Sequence, residues 1–390
     1  MNDNIKVLIL AAGNGTRMKS NKPKVLHEIS GKPMINHIID TCFDAGIKNI
    51  SIVLGNKKES IKQFIPKNVN IIHQKRQLGT GDAIKSASKY LEKFNGKLLI
   101  LYGDMPLIRK QTIKNIIKNT KSNASIISFI ADQPKGYGRV IINKNNSVKV
   151  IEEKNTIPKE KAIKLCYSGI ICANSKKIFL ALNKIEKDKN TKEYLFTDIF
   201  QIFEKLNIPI KVLKGSETEF KGVNDRKQLN EVDKVFQEKL KISFMHKGVT
   251  ILSPDTVYIT YGAKIGSDVL ISPNSFIGKN VNIKTNVIIK HGCSIEDATI
   301  ENGCEIGPLS RIRKNTKIGK NTKIGNFVEV KNSIIGDNSK VNHLAYIGDT
   351  KIGNKTNIGA GTITCNYDGV NKNKTIIAHN VFVGSNCSLI

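Results

Sequence analysis

Lys264-Ile265-Gly266-Ser267-Asp268-Val269-Leu270-Ile271-Ser272-Pro273-Asn274-Ser275-Phe276-Ile277-Gly278 returns to the same kind of residue every six positions. The aliphatic phase continues through Ile283, Ile289 and Ile295. It steps by five to Ile300, then runs on through Ile306, Ile312, Ile318, Ile324 and Val330. A second short step leads to Ile335, Val341 and Ile347, and a third to Ile352 and Ile358. A six-residue period fits neither an isolated helix nor an alternating strand. It fits a parallel β-helix of hexapeptide repeats, in which each short strand forms one side of a triangular coil and the aliphatic residue points inward. Glycine often follows the aliphatic position, as at Gly266, Gly278, Gly307, Gly319, Gly325 and Gly336, and is expected to permit the tight corner. The ladder itself is core and carries no chemistry.

Upstream of the repeat, residues 225–240 lack Gly and Pro and carry Leu229, Val232, Val235, Phe236 and Leu240. That spacing predicts an amphipathic connector helix. Further upstream, apolar strand patterns at 5–10, 50–54, 69–73, 98–102 and 125–131 alternate with helical patterns at 34–45, 81–94 and 112–119. The alternation implies a mostly parallel sheet covered on both faces. Residues 139–143 and 148–152, joined by Lys-Asn-Asn-Ser, read as a hairpin, and 167–173 as a further strand. Three segments follow: an α/β domain over 1–226, a linker helix over 227–247 and a repeat domain over 248–390.

The 390 residues carry 62 basic and 33 acidic side chains, a net charge of +29. A positive field suits nucleic acid, a membrane surface or small anionic substrates. The chain has no arginine-rich tract, zinc-finger spacing or aromatic RNA-binding motif, so small anions are expected rather than nucleic acid. No apolar run approaches the roughly 20 residues of a membrane helix, so no membrane partner is expected. Cys42, Cys166, Cys172, Cys293, Cys304, Cys365 and Cys387 are odd in number and never spaced C-x-x-C. That usage favours free thiols in a reducing, cytoplasmic compartment.

The first strand runs directly into Leu10-Ala11-Ala12-Gly13-Asn14-Gly15-Thr16-Arg17-Met18. Small residues there let backbone N–H groups approach a phosphate chain. The loop is neither a G-x-G-x-x-G dinucleotide turn nor a P-loop. Arg17 and Lys24, the latter in Lys22-Pro23-Lys24-Val25-Leu26, lie close enough in sequence to cover a polyphosphate. Asp104 ends a strand, where α/β sheets place ligand groups.

The string G-x-G-T-R-M-x-S-x-x-P-K-V-L resembles the sugar-1-phosphate nucleotidyltransferases, specifically the family of bacterial bifunctional N-acetylglucosamine-1-phosphate uridylyltransferases / glucosamine-1-phosphate N-acetyltransferases. Gln77-Leu78-Gly79-Thr80-Gly81, Leu101-Tyr102-Gly103-Asp104-Met105-Pro106-Leu107, Gly136-Tyr137-Gly138-Arg139 and Gly222-Val223-Asn224 extend the resemblance. It implies an α/β Rossmann-like nucleotidyltransferase domain, a connector helix and a left-handed parallel β-helix. It gives the nucleotide to Leu10, Ala11, Ala12, Gly13, Lys24, Gln74, Gly79 and Thr80. It gives Mg²⁺ to Asp104 and Asn224, and the sugar to Tyr102, Asp104, Gly138, Glu152, Tyr167 and Asn224. Arg17 and Lys24 would stabilise transfer of uridylyl from UTP to N-acetylglucosamine 1-phosphate. The chain departs from the family pattern twice: Tyr167-Ser168-Gly169 stands for Asn-Thr-Gly, and Lys221 for Glu.

In the repeat region the resemblance rests on Glu329-Val330-Lys331, on the run from Asn342 to Asp349, and on the run from Asn357 to Gly369. Residues 365–374 break the six-residue rhythm, which predicts an extruded loop. The resemblance makes His343 the base for acetyl transfer from acetyl-CoA to glucosamine 1-phosphate, with Glu329 orienting it. It gives the sugar phosphate to Arg313, Lys331, Tyr346 and Asn357, and acetyl-CoA to Ala360, Asn366, Tyr367 and Ser385. It also implies a homotrimer with the site between subunits. Family chains continue past the position of Ser385, whereas this one ends at Ser388-Leu389-Ile390. The expectation is therefore bifunctional synthesis of UDP-N-acetylglucosamine. One alternative is uridylyl transfer alone, with acetyl transfer weakened by the short repeat domain; another is a non-enzymatic binding scaffold.

Overall fold

The computed structural model describes residues 4–121, 123–143, 147–189 and 191–390, in two compact units that divide between Val232 and Asp233. The N-terminal unit is built on one nine-stranded sheet. Its strands are β1 (Ile5–Ala11), β2 (Ile50–Leu54), β3 (Asn70–His73), β4 (Lys97–Tyr102), β5 (Ala124–Ile130), β6 (Arg139–Ile142), β7 (Val148–Ile151), β8 (Leu165–Asn174) and β9 (Ile210–Lys214). The main order is β9-β5-β8-β4-β1-β2-β3, with the β6–β7 hairpin joined to β8. The connecting residues 144–146 lie outside the described residues.

Val7, Leu8, Ile9, Leu98, Leu99 and Ile100 are fully buried, because helices cover both faces of the sheet. The chain leaves β1 toward β2 and β3, then returns to β4 on the other side of β1. This reversal opens a crevice at the carboxyl ends of β1 and β4, the usual ligand position in open α/β sheets. Leu10 and Tyr102 are direct neighbours across it.

Two local expectations are corrected. The helical pattern over 81–94 folds as two short helices, Thr80–Lys85 and Ser88–Leu91. Ser88 Oγ donates to the Lys85 carbonyl between them, a local bond that competes with helix continuation. The sequence pattern does not announce the edge strand β9 either. Its Ile-Lys-Val-Leu-Lys is only half buried and alternates weakly.

The C-terminal unit is a left-handed parallel β-helix. Short parallel strands stack into three sheets of eight, eight and seven. Register partners lie 18 or 17 residues apart, as in Leu270↔Ile288, Ile288↔Glu305, Glu305↔Lys323 and Lys323↔Lys340. The 17-residue coils are those holding a five-residue step. Between Thr350 and Thr375 the interval widens to 25, which places the extruded loop at residues 365–374. The Ile ladder is buried from Ile271 to Ile358.

The corners correct the expectation for glycine. The left-handed positions belong mainly to Asn and Asp: Asp268, Asn274, Asn280, Asn286, Asn315, Asn321, Asn332 and Asn338 have φ between +48° and +59°. These short polar side chains tolerate that conformation. Of the glycines named after the aliphatic residue, Gly307 alone takes the left-handed conformation (φ +97°), whereas Gly319 and Gly336 serve close approach instead. A Cβ on Gly319 would sit 2.7 Å from the Gly336 carbonyl carbon, and one on Gly336 would sit 2.6 Å from that of Gly353. Glycine here lets successive coils close upon each other.

The connector helix runs over Arg226–Met245, a turn longer than its sequence pattern. Phe244 explains the extension, because it is buried in the β-helix core. Within the C-terminal unit, Gln237 Nε2 donates to the Ile259 carbonyl (2.6 Å) and its Oε1 accepts from the Ile259 N–H (3.1 Å). The buried Lys241 ammonium donates to the carbonyls of Pro254 (2.5 Å) and Val257 (3.2 Å). Helix side chains thus satisfy backbone groups of the first coil.

Candidate functional sites

The crevice between β1 and β4 opens into a cleft of about 570 Å³. Its lining includes Leu10, Ala11, Ala12, Gly13, Arg17, Lys24, Gln74, Gly79, Thr80, Tyr102, Asp104 and Glu152. A Cβ on Gly13 would meet nothing within 4 Å, so that loop face is open to a ligand. Gly15 has φ +63°, and a Cβ there would lie 2.6 Å from Lys24 Cβ. Glycine is required at 15 so that Lys24 can lie against the loop.

Four side chains converge at the mouth. Lys24 Nζ lies 2.5 Å from Asp104 Oδ2 and 3.2 Å from Asn224 Oδ1. Arg17 Nη2 donates to the same amide oxygen at 2.9 Å. The Val223 N–H donates to the Asp104 carbonyl, and the Asn224 N–H to Gln228 Oε1, so both oxygen donors are held by backbone. Lys24 and Asp104 are mostly buried, which strengthens their attraction relative to a surface pair.

Among the described residues no cluster of three or more His, Cys, Asp or Glu could cage a metal. One carboxylate and one amide oxygen fit a hard divalent cation that takes its remaining ligands from phosphate and water.

Deeper in the cleft, Gln74 donates to Asp82 Oδ2 (2.7 Å) and to the Gly79 carbonyl (3.3 Å). Thr80 Oγ1 accepts from the Phe196 N–H, and Glu152 Oε1 accepts from Thr197 Oγ1 at 3.0 Å. Burial raises the Tyr102 phenol well above its ordinary range, and the Glu152 and Asp104 carboxylates add to the shift. Tyr102 therefore remains a hydroxyl donor.

Gly138 and Tyr167 are not among the described lining residues. The Tyr167 N–H donates to the Gly138 carbonyl behind the wall. The Tyr167 ring is 6% exposed, packs edge-on against Phe200, and its hydroxyl has no hydrogen-bond partner among the described residues. Gln77, from the quoted Gln77–Gly81 motif, also lines the cleft, as do Glu193 and Leu195, which no sequence motif marks. Gln77 Nε2 donates to the Ala12 carbonyl and braces the glycine loop. Glu193 and Leu195 sit on a loop with no motif, so nothing in their sequence announced them.

On the β-helix the expected residues fall on two faces. Glu329, Lys331 and Tyr346 belong to one sheet, and Arg313 directly follows its strand Arg311–Ile312. His343 and Asn357 lie on the next, with Ala360 and Ser385 at the end of its later strands. Arg313 donates to Glu329 at 2.6 Å, and Arg311 also approaches Glu329. Within one chain Glu329 is thus engaged by arginines. His343 Nδ1 instead lies 2.8 Å from Asn326 Oδ1.

Asn366 is buried and donates to Asp349, which ties the base of the extruded loop to the coil below. Burial disfavours the Asp349 carboxylate, but bonds from Asn332 and Asn366, with Lys331 and Lys372 nearby, outweigh it and lower its pKa. Tyr367 is exposed and its hydroxyl donates to the Gly369 carbonyl.

A family model described as a MobA-like NTP transferase domain matches residues 7–183, and one described as a GMPPB C-terminal domain matches 294–390. The chain is 40% identical over 388 residues to the bifunctional protein GlmU of Bartonella bacilliformis, spanning 98% of this chain and 86% of that protein. It is 42% identical over 407 residues to the GlmU of Thermosipho africanus (99% and 88%), and 38% identical over 413 residues to that of Geotalea uraniireducens (100% and 90%). With a nucleotidyltransferase-type cleft in one unit and a hexapeptide β-helix in the other, the chain belongs to the family of bifunctional GlmU proteins.

Proposed function

We propose that the chain makes UDP-N-acetylglucosamine in two steps, acetylating glucosamine 1-phosphate with acetyl-CoA and then transferring uridylyl from UTP with release of pyrophosphate. The carrying observation is the convergence of Arg17, Lys24, Asp104 and Asn224 from distant segments onto the switch-point cleft. A scaffold has no use for this arrangement, and relatives that carry the bifunctional name match both units.

In the first unit, the glycine loop and the Gly79-Thr80 turn hold the nucleotide while the sugar phosphate attacks the α-phosphate in line. Asp104 and Asn224 would hold a divalent cation, Mg²⁺ for an all-oxygen donor set, which would supply charge neutralisation to the phosphates. Lys24 balances Asp104 in the free protein and turns to the phosphates as they arrive. Arg17 stabilises charge on the departing pyrophosphate. Tyr102 and Glu152, braced by Thr197, supply a donor and an acceptor for sugar hydroxyls. Tyr167, which stands where the family pattern has an amide, is packed behind the wall and leaves the sugar to Tyr102 and Glu152.

In the second unit, the substrate amine attacks the acetyl thioester. A C–N bond forms and the C–S bond breaks. His343 Nε2 takes the amine proton and returns it to the sulfur of the leaving coenzyme A. Arg313, Lys331, Tyr346 and Asn357 bind the sugar phosphate. Ala360, Asn366, Tyr367 and Ser385 border the acetyl-CoA side.

Outward side chains on two faces of a triangular prism diverge, so one chain does not close this site. That divergence supports a homotrimer in which faces of neighbouring copies complete it. Leu309, Phe327 and Leu344 support the same assembly. All three occupy one corner of successive coils, exposed, with φ between +46° and +55°. Holding apolar residues there costs about 1–2 kcal/mol each. A stable monomer in sedimentation at micromolar concentration would contradict assembly.

No described helix is long and apolar enough to cross a membrane. The seven thiols are free, five of them buried, which supports a cytoplasmic location. The test is a pair of single-substrate assays. Asp104→Ala should lose pyrophosphate release and keep acetyl transfer, and His343→Ala should do the reverse. Full pyrophosphate release by folded Asp104→Ala overturns the first assignment, and full acetyl transfer by His343→Ala overturns the second.

A further inference from the structure

The coil that carries His343 is tied directly to the coil below it. Asn326 and His343 are direct partners in the parallel ladder between strands Lys323–Asn326 and Lys340–His343. The Leu344 N–H donates to the Asn326 carbonyl at 3.1 Å. Gly325 makes this possible, because a Cβ there would collide with the Asn342 backbone. The result sets the Asn326 amide oxygen 2.8 Å from His343 Nδ1. One coil further on, the equivalent position is Ala360, which has no side-chain hydrogen-bonding atom.

We infer that Asn326 is a positioning residue for acetyl transfer, holding His343 in the tautomer that leaves a lone pair on Nε2. A neutral imidazole carries one N–H, and the acceptor it meets selects which nitrogen bears it. An amide oxygen at Nδ1 keeps the proton there, so Nε2 is free to accept the proton of the attacking amine. The same bond fixes the ring plane, which orients Nε2 relative to a substrate held by other side chains. The charged groups of the surrounding cleft are Lys290, Glu305 and Lys323. Glu305 is paired with both lysines, and Lys340 lies on the same strand as His343. None of these supplies the acceptor at Nδ1, so the role falls to Asn326.

This inference rests on His343 being the base. The test uses full-length protein and measures acetyl transfer to glucosamine 1-phosphate across pH. Asn326→Ala should lower kcat about tenfold or more, with KM for both substrates little changed. Asn326→Asp keeps an acceptor at Nδ1 and should recover most of the rate. Its carboxylate also stabilises imidazolium, so the acidic limb of the pH profile should move to higher pH. His343→Ala is measured beside them, with thermal melting of every variant.

Loss of transfer in His343→Ala, with wild-type kcat and pH profile in Asn326→Ala, overturns the inference and leaves His343 as base. Greater loss in Asn326→Asp than in Asn326→Ala also overturns it, because the amide would then be acting as donor. Full transfer by His343→Ala overturns both readings. If Asn326→Ala melts early, the Asp variant, which preserves size, still decides through its rate and pH profile.

Discussion

The two units solve the problem of placing chemistry in opposite ways. In the N-terminal unit, segments some 80 and 200 positions apart fold onto a single spot, where Lys24, Asp104, Asn224 and Arg17 touch one another. In the β-helix the candidate residues are spread along two diverging faces, and those that pair do so with a neighbour one coil away, as in Arg313–Glu329 and Asn326–His343. A doubly wound sheet concentrates loops at its switch point, whereas a solenoid presents surfaces. The first site is gathered by one chain. The second is not closed by one chain, and the proposed trimer would complete it.

The largest predicted effect breaks the gathered site. Lys24→Ala should reduce uridylyl transfer by about a hundredfold to a thousandfold, the range for losing one preorganised charge-stabilising group. Acetyl transfer by the same protein should be unchanged. An equal fall in both activities, with melting unaltered, would mean that the units are not chemically separate.

Next comes the ladder that makes the solenoid a rigid surface. Ile312 is 1% exposed within the β-helix core. Ile312→Ala should cost about 2–5 kcal/mol in denaturant unfolding of the C-terminal unit, by lost transfer energy plus the cavity left behind. A cost below about 1 kcal/mol would mean that the coils relax into the gap.

A smaller effect sharpens the comparison from the side of the N-terminal core. His37 is buried and its pKa is lowered to about 4, chiefly by desolvation. Its Nε2 faces the Ile29 carbonyl at 2.9 Å. The unfolded chain binds this proton near pH 6.5 and the folded chain does not. Stability should therefore fall as pH drops from 6.5 toward 4, by at most about 1.4 kcal/mol per pH unit. His37→Asn should flatten that slope. An unchanged slope in the variant would assign the acid sensitivity elsewhere.

The smallest effect probes the corners. Asn321 has φ +54°. Asn321→Ala should cost about 1 kcal/mol, while Asn321→Gly should be close to neutral. Equal costs for the two would mean that its side-chain contacts, and not its backbone, matter.

The β-helix was legible because its period is set by backbone geometry, so Ile265 through Ile358 announce the stacked coils. What that period did not reveal was the division of labour at a corner. Glycine and asparagine recur at the same rate, and only the close approach of coils at Gly319 and Gly336 separates their roles. The glycine loop was equally legible, since small residues before Arg17 and Lys24 have a direct chemical meaning. The wall made by Glu193 and Leu195 was not, because it depends on a tertiary contact: the Tyr194 N–H donates to the Leu78 carbonyl and its own carbonyl accepts from Gly81. The Asn326–His343 pair was hidden for a related reason. Register in a solenoid joins residues 17 apart, and a step of five or six changes which residues meet.

The most direct measurement mixes two variants. Asp104→Ala and His343→Ala are each given glucosamine 1-phosphate, acetyl-CoA, UTP and Mg²⁺, alone and then together. Each alone should form no UDP-N-acetylglucosamine, and the mixture should form it, because the product acetylated by one protein is the substrate uridylylated by the other. A mixture that remains silent while the wild-type protein turns over would contradict two separate sites in this chain.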